Sequence, residues 1–197
     1  MRIEAIHRII EEQAAMRGEH RAIVAPDGEL SYRELNGRAN ALARQFLAAG
    51  LRRRGHVVVT QAPHPDLIVT LLATLKAGAS YSWARPDSSS VDGAESESLS
   101  IHSEVGGMEQ WRLPLARRGE LRAQPNLPVL TRGSDIACVL PGRCSPVLIP
   151  HASVLALHPT PAVPADVWRT EDGGIGIWLA LMSGHTVTGS DSYAAAA

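Results

Sequence analysis

Residues 57–83 decide the fold, and they read VVVTQAPHPDLIVTLLATLKAGASYSW. The opening run at 57–60 is apolar and of strand length, which is typical of a buried parallel strand. Apolar residues resume after Asp66 and continue through Leu75, which predicts a helix that ends at residues 76–78. A second strand is expected at 79–83. A strand, a helix and a strand in this order form the basic unit of a parallel sheet.

The preceding residues extend the alternation of helices and strands. Apolar side chains recur at three- and four-residue steps from Ile3 to Ala14, which predicts an amphipathic first helix. A short strand is expected at Arg21–Ala25. Ser31 and Glu34 form a capping-box pattern, which predicts the start of a second helix. The fold class is therefore α/β, with a mainly parallel sheet flanked by helices.

Patterns in the second half of the chain are weaker. Residues 88–107 are rich in Ser, Gly and acidic residues, and we interpret them as a loop. Strands are expected at Ile136–Leu140 and 147–149, a short helix at 153–157 and a last apolar helix at Ile175–Met182. Four segments result: a regular α and β segment at 1–87, a polar and eroded region at 88–133, a weaker continuation at 134–190 and a flexible tail at 191–197.

Composition and charge narrow the class of protein. The 197 residues suit one domain, and 45% apolar residues suffice for a core. A formal net charge of −1 argues against general attraction to nucleic acid or to an anionic membrane. The two cysteines give no disulfide framework, and no window resembles a signal peptide or a membrane span. We expect a cytoplasmic protein that binds neither nucleic acid nor membranes.

Arg52, Arg53 and Arg54 form the only dense basic run. They follow the predicted end of the second helix, where cations favour the negative end of the helix dipole. A structural role is the preferred interpretation, and a phosphate-binding role is the alternative.

Two short motifs carry a resemblance to a known family. Residues 30–35 (LSYREL) and 75–81 (LKAGASY) resemble the first two core motifs of the adenylation domains of nonribosomal peptide synthetases, within the adenylate-forming superfamily of acyl-CoA synthetases. Residues 135–140 resemble the strand that leads into the family's phosphate loop, and residues 177–184 (IWLALMSG) resemble a later helix. The resemblance implies the N-terminal subdomain of an adenylate-forming enzyme, degenerate and truncated.

The chain departs from the family where ATP would bind. The family has a loop rich in Ser, Thr and Gly followed by Pro-Lys-Gly, which holds the ATP phosphates. Here about six residues are missing after Leu140, and Ser145 and Pro146 stand where the lysine and the following glycine would be. Proline also removes an amide donor. Gly142 and Arg143 are weak candidates for a residual anion site.

Further functional parts of the family have no counterpart. The floor of the amino-acid pocket is replaced by a shorter, proline-rich stretch, and neither Asp166 nor Asp172 matches the acidic residue of that motif. The C-terminal lid with its catalytic lysine is absent. His151 aligns with a position that is often His in the family, and we interpret it as a packing or surface residue. We predict no catalytic residue, no cofactor and no metal site.

The function expected from these departures is non-catalytic. We predict a protein-interaction or scaffold element of nonribosomal peptide biosynthesis that forms a homodimer or docks onto a synthetase, a carrier protein or a tailoring enzyme. One alternative is a minimal or split adenylate-forming enzyme that activates an amino or aryl acid with ATP. Another is a structural remnant of a larger synthetase without an independent role.

Overall fold

The computed structural model describes residues 5–26, 28–60, 64–83, 98–102, 122–128, 131–142, 144–158 and 173–189. The helices in these ranges are α1 (Ile6–Met16), α2 (Tyr32–Ala48), α3 (Pro65–Lys76), α4 (His151–Ala156) and α5 (Ile175–Met182). The strands are β1 (Arg21–Ala25), β2 (Gly28–Ser31), β3 (His56–Thr60), β4 (Ser80–Trp83), β5 (Ser98–His102), β6 (Ile136–Leu140), β7 (Val147–Pro150) and β8 (Val187–Thr188). No helix in the described ranges combines the length and the hydropathy needed to cross a membrane.

The strands form two sheets. One has five strands in the order β5-β3-β4-β6-β7, in which β4 runs parallel to both β3 and β6. Its edge strands β5 and β7 are antiparallel to their neighbours. The other sheet has the order β2-β1-β8. The predicted α/β class is confirmed, with the parallel pairing at the centre of the larger sheet and antiparallel pairing at its edges.

Helix α3 lies between the two sheets and contacts strands of both. All of its residues except Asp66 are buried. The His64 side chain caps the helix by accepting a hydrogen bond from the Asp66 amide at 3.1 Å, and Pro65 occupies the first turn, where its missing N–H is not needed. Gly78, at φ 77°, turns the chain back toward β4. The predicted strand–helix–strand unit is therefore present.

Helix α2 begins with the predicted capping box. The Glu34 amide donates to the Ser31 hydroxyl at 3.2 Å, and the Ser31 amide donates to the Glu34 carboxylate at 2.9 Å. The hydrogen bond from the Ser31 backbone holds the pKa of Glu34 below its usual value. Such a cap contributes about 1 kcal/mol to helix stability. Leu35 and Phe46 are buried on the face of α2 that packs with α3.

Three strands are not predicted from the sequence. Residues 98–102 fall in the region interpreted as a loop, but they form β5, paired antiparallel with β3. Strand β2 pairs with β1, and β8 pairs with β1 in parallel. Because β8 follows α5, this pairing joins the last described residues to the N-terminal part of the fold. The remainder of the predicted loop at 88–97 and 103–107 and the predicted tail at 191–197 lie outside the described residues.

The two faces of the five-stranded sheet differ. We call the face carrying Val57, Val59, Tyr81 and Cys138 the inner face, and each of these residues is at most 1% exposed. Side chains alternate between faces along a strand. The register pairs Val58 with Ser82 and Val139 with Leu148, and these four residues belong to the opposite, outer face, where each is half-buried or exposed.

Candidate functional site

A short segment at 141–146 connects β6 and β7, where the family resemblance predicts the position of the phosphate loop. The strands it joins are paired antiparallel from Leu140 with Val147. Gly142 and Ser145 are exposed, and a Cβ on Gly142 would overlap the Ser145 carbonyl oxygen, so only glycine fits at position 142. Arg143, the second candidate for a residual anion site, lies outside the described residues, and the anion site stays a prediction.

His151 lies in the core. It is 1% exposed, and its Nδ1 accepts a hydrogen bond from the Ile6 amide at 3.3 Å. Burial lowers the pKa of His151 to about 4, although the Asp135 carboxylate opposes the shift. Its ring meets that of buried His7 edge to face, with 6.0 Å between centroids. Both rings are therefore neutral packing residues near neutral pH, in line with the packing interpretation of His151.

The arginine run forms ion pairs rather than a free basic patch. Arg54 Nε and Nη2 each lie 3.0 Å from Asp135 Oδ1, and Arg53 Nη2 lies 3.4 Å from Oδ2. The Arg132 amide donates to the same carboxylate at 2.9 Å. Burial raises the pKa of Asp135, but the Arg132 amide and the two guanidinium groups outweigh it and leave the pKa below its usual value. Two of the three arginines therefore hold the start of β6.

The only lysine of the chain, Lys76, is buried. Its ammonium group pairs with the Glu11 carboxylate of α1, and the side chains are 1% and 3% exposed. Burial lowers the pKa of Lys76, and Glu11 opposes that shift. The sequence gives one signal for this pair, since a charged residue stands at the end of an otherwise apolar helix. Its partner, 65 positions earlier, cannot be identified from that signal.

Tyr32 and Tyr81, one from each motif of the family resemblance, make hydrogen bonds within the core. The Tyr32 hydroxyl reaches the carbonyl oxygens of Leu181 at 3.0 Å and His185 at 2.8 Å. The Trp178 indole N–H donates to the Tyr81 hydroxyl at 2.6 Å, and that hydroxyl donates to the Gly173 carbonyl at 2.9 Å. Both motifs that carry the family resemblance are thereby tied to the region of α5.

A cavity of about 480 Å³ opens on the outer face of the five-stranded sheet. Its polar end is formed by Arg54, His56 and Ser80, near the amino ends of β3 and β4. Its apolar end includes Val139 and Leu148. Nothing in the sequence predicts this cavity, because its walls come from segments up to 94 residues apart. The described residues contain no group of three or more His, Cys, Asp or Glu side chains suited to a metal ion, and Asp166 and Asp172 lie outside them.

Comparison with known proteins assigns the family. Residues 10–96 match the model of the AMP-binding enzyme family. Surfactin synthase subunit 2 of Bacillus subtilis is 31% identical over 169 residues, which cover 78% of this chain and 5% of the synthase. The chain belongs with the adenylation domains of nonribosomal peptide synthetases, over their N-terminal part. Phosphinothricin tripeptide synthetase PhsC of Streptomyces viridochromogenes is another relative of this adenylation-domain segment, 43% identical over 74 residues that cover 38% of the chain and 7% of PhsC.

Solved structures agree with this assignment at the level of the fold. The adenylation-like chain superposes on NpsA of Klebsiella oxytoca in complex with 3-hydroxyanthranilyl-AMSN with a TM-score of 0.72 and 23% identity, covering 95% of this chain and 42% of NpsA. The N-terminal subdomain of NpsA with the same ligand gives a TM-score of 0.72 at 20% identity, with 95% and 54% coverage. The 197 residues thus span about half of that subdomain and a small part of each synthetase.

Proposed function

We propose that this chain is a non-catalytic adenylation-like domain that acts through protein interactions. The supporting observation is the place of its single lysine. The family resemblance implies one lysine beside the ATP phosphates and another in the C-terminal lid. Lys76 matches neither, because its ammonium group is buried against Glu11 between α1 and α3. Phosphoryl chemistry depends on positioned cations and amide donors, and the segment at 141–146 contains no lysine.

ATP–pyrophosphate exchange tests the loss of chemistry. The purified chain is assayed with Mg²⁺ and a panel of amino and aryl acids, and the corresponding adenylation domain of surfactin synthase subunit 2 is the candidate positive control. We expect no exchange above background from this chain. Clear exchange would contradict the proposal. If exchange appears, the variant R143Q identifies its origin, because a rebuilt anion site at Gly142 and Arg143 would lose activity with that change.

An apolar surface supports the interaction part of the proposal. Val147, Leu148 and Leu157 are 47%, 57% and 51% exposed, and all three lie in the segment of β7 and α4. Strand β7 is the edge of the five-stranded sheet among the described residues, and apolar edge strands favour pairing with another chain. A second copy of this chain, a synthetase, a carrier protein and a tailoring enzyme are the partners that we propose.

Sedimentation equilibrium tests the homodimer. We expect the mass to rise above the 21.1 kDa of one chain with increasing concentration, and we expect L148D to abolish the rise. The matched control is L47D, since Leu47 is 41% exposed on α2, away from β7. A mass of one chain at every concentration would remove the homodimer and leave docking onto a different protein. Equal effects of L148D and L47D would contradict the assignment of the surface.

A further inference from the structure

The cavity on the outer face has a polar end and an apolar end. At the polar end, His56 is the first residue of β3 and Ser80 the first of β4. Val139 and Leu148, directly paired on β6 and β7, contribute aliphatic surface at the other end, and Ile136, the first residue of β6, adds to the apolar lining. The volume of about 480 Å³ lies in the range of small-molecule sites, which combine apolar walls with a few convergent polar groups.

Hydrogen bonds fix the polar end in one arrangement. The Ser80 hydroxyl donates to the Gly55 carbonyl at 3.2 Å, so its oxygen is left to accept from His56 Nδ1, at 2.9 Å. His56 Nε2 lies 3.1 Å from the Ser82 hydroxyl, which becomes the donor of that contact for a neutral ring. The imidazole is therefore held by hydroxyl groups on both sides.

Among the residues that the structure describes, the charge at this end is positive. Asp135 is the only carboxylate in the described part of the lining, and it faces two guanidinium groups, those of Arg53 and Arg54. The Asp135 side chain is 7% exposed, whereas that of Arg54 is 62% exposed. A solute that enters the cavity therefore meets the arginine more readily than the carboxylate. Guanidinium groups have several N–H donors and bind carboxylates well.

The backbone of Arg54 is held in an unusual conformation. Its φ is 62°, and no other non-glycine residue in the described ranges has a positive φ. Such a conformation is strained for a residue with a side chain and persists only where the surroundings enforce it. Here the Arg54 amide donates to the Gly78 carbonyl at 2.7 Å. The strained residue is also the one that places a cation at the mouth of the cavity.

We propose that this cavity binds a small monocarboxylate with a short aliphatic body. The carboxylate lies on the exposed side of the Arg54 guanidinium, and the aliphatic body lies on Val139 and Leu148. The polar end of the cavity is at the amino ends of β3 and β4, whereas the turn at 141–146 follows the carboxyl end of β6, beyond the apolar end of the cavity. The proposed carboxylate position is thus separate from that turn, and it requires no nucleotide.

Titration of the ¹⁵N-labelled full chain tests the proposal. Hexanoate is compared at about pH 7, where its carboxyl group is ionised, with acetate, hexanamide and hexylammonium, and amide shifts of Gly55, Ser80 and Ile136 report on the cavity. We expect saturable shifts with hexanoate, weaker binding of acetate, and binding of hexanamide weaker by about tenfold, as loss of one charge-assisted contact predicts. Equal binding of hexanoate and hexylammonium, or no saturable shift, would overturn the proposal.

Matched variants locate the carboxylate. We expect R54Q to weaken hexanoate binding by about tenfold, and R52Q, which changes the exposed neighbour outside the cavity, to leave it unchanged. R54K keeps the charge without the planar fork and is expected to lie between the wild type and R54Q. If R54Q does not fold, V139S decides, because Val139 lines the apolar end of the cavity and its change must weaken hexanoate more than acetate. Equal losses in R54Q and R52Q would overturn the assignment to Arg54.

Discussion

The inner and outer faces of the five-stranded sheet are built from the same strands, yet they have different surroundings. On β3, Val57 and Val59 are fully buried, while His56 and Val58, which alternate with them, are half-buried. On β4, Tyr81 accepts a hydrogen bond from buried Trp178, whereas Ser82 faces His56 on the other side. One face is therefore a closed core, and the other is open enough to contain a cavity.

The difference between the two faces shows which part of the molecule contains the motifs of the family resemblance. Tyr32 and Tyr81, each from one of the two motifs, make their hydrogen bonds within the core. The helix that contains Lys76 is buried between the sheets. The two motifs therefore contribute buried side chains and hydrogen bonds to the core of this chain.

The largest effect is expected from breaking the buried ion pair of the core. The change K76M keeps the side-chain volume but leaves the Glu11 carboxylate without its buried cation. Loss of one partner of a buried pair typically costs about 3–5 kcal/mol, and we expect the lower end because Arg8 still lies 3.2 Å from Glu11 Oε2. The free energy of unfolding is measured by urea denaturation.

The double variant E11L/K76M is the control for that measurement. Replacing both partners by apolar residues removes the unpaired charge, and it is often close to neutral for stability. We expect the double variant to recover most of the loss. A K76M variant as stable as the wild type would show that the pair does not hold α1 against α3.

Lowering the pH should reduce the stability of the same core. Burial lowers the pKa of His7 well below its usual value and that of His151 to about 4. Unfolding restores a pKa of about 6.5, so the unfolded chain binds more protons between these values. Stability contributed by the neutral rings is present above about pH 6.5 and is lost as the pH falls toward 4. The free energy of unfolding should change with a slope that approaches about 1.4 kcal/mol per pH unit for each histidine.

Urea denaturation between pH 7.5 and 4.5, a range of about three units in which one histidine could contribute about 2 kcal/mol, measures this dependence. H151N should flatten the profile, since its amide oxygen can still accept from the Ile6 amide. The control is H20Q, which changes an exposed histidine and should leave the slope as it is. A wild-type profile that is flat over this range would contradict the assignment of neutral buried rings.

The smallest effect comes from a matched pair on one strand. V57A and V58A make the same change on neighbouring residues that face opposite sides of the sheet. We expect V57A to cost about 2 kcal/mol, because it removes two buried methyl groups and leaves a small cavity. V58A should cost about 0.5 kcal/mol. Equal losses would mean that the outer face is packed as tightly as the inner one.

The sequence predicts those features of the fold that depend on interactions between residues close together in the chain. The capping box at Ser31 and Glu34 and the apolar helix before Gly78 are examples, and both are present. The same kind of signal exists at β5, where Leu99 and Ile101 alternate with polar residues. That strand is missed because it lies within a Ser-rich stretch, and its pairing with β3 is formed by residues about 40 positions away.

The cavity and the buried ion pair depend on distant contacts. Lys76 meets Glu11 across 65 positions, and Arg54 meets Asp135 across 81. A single sequence contains no periodicity or spacing that records such contacts. The predicted loss of the family's phosphate loop, by contrast, depends on the sequence alone, because the resemblance covers the segments on both sides of residues 141–146.

A single buried lysine also has a practical consequence. Amine-directed reagents, which in most proteins modify many side chains, have only one side-chain target here, and it is 1% exposed in the folded chain. Each adduct on Lys76 detected by mass spectrometry therefore records one opening of the contact between α1 and α3. Modification of Lys76 therefore reports local opening of the core, and the measurement needs neither an added label nor a substitution.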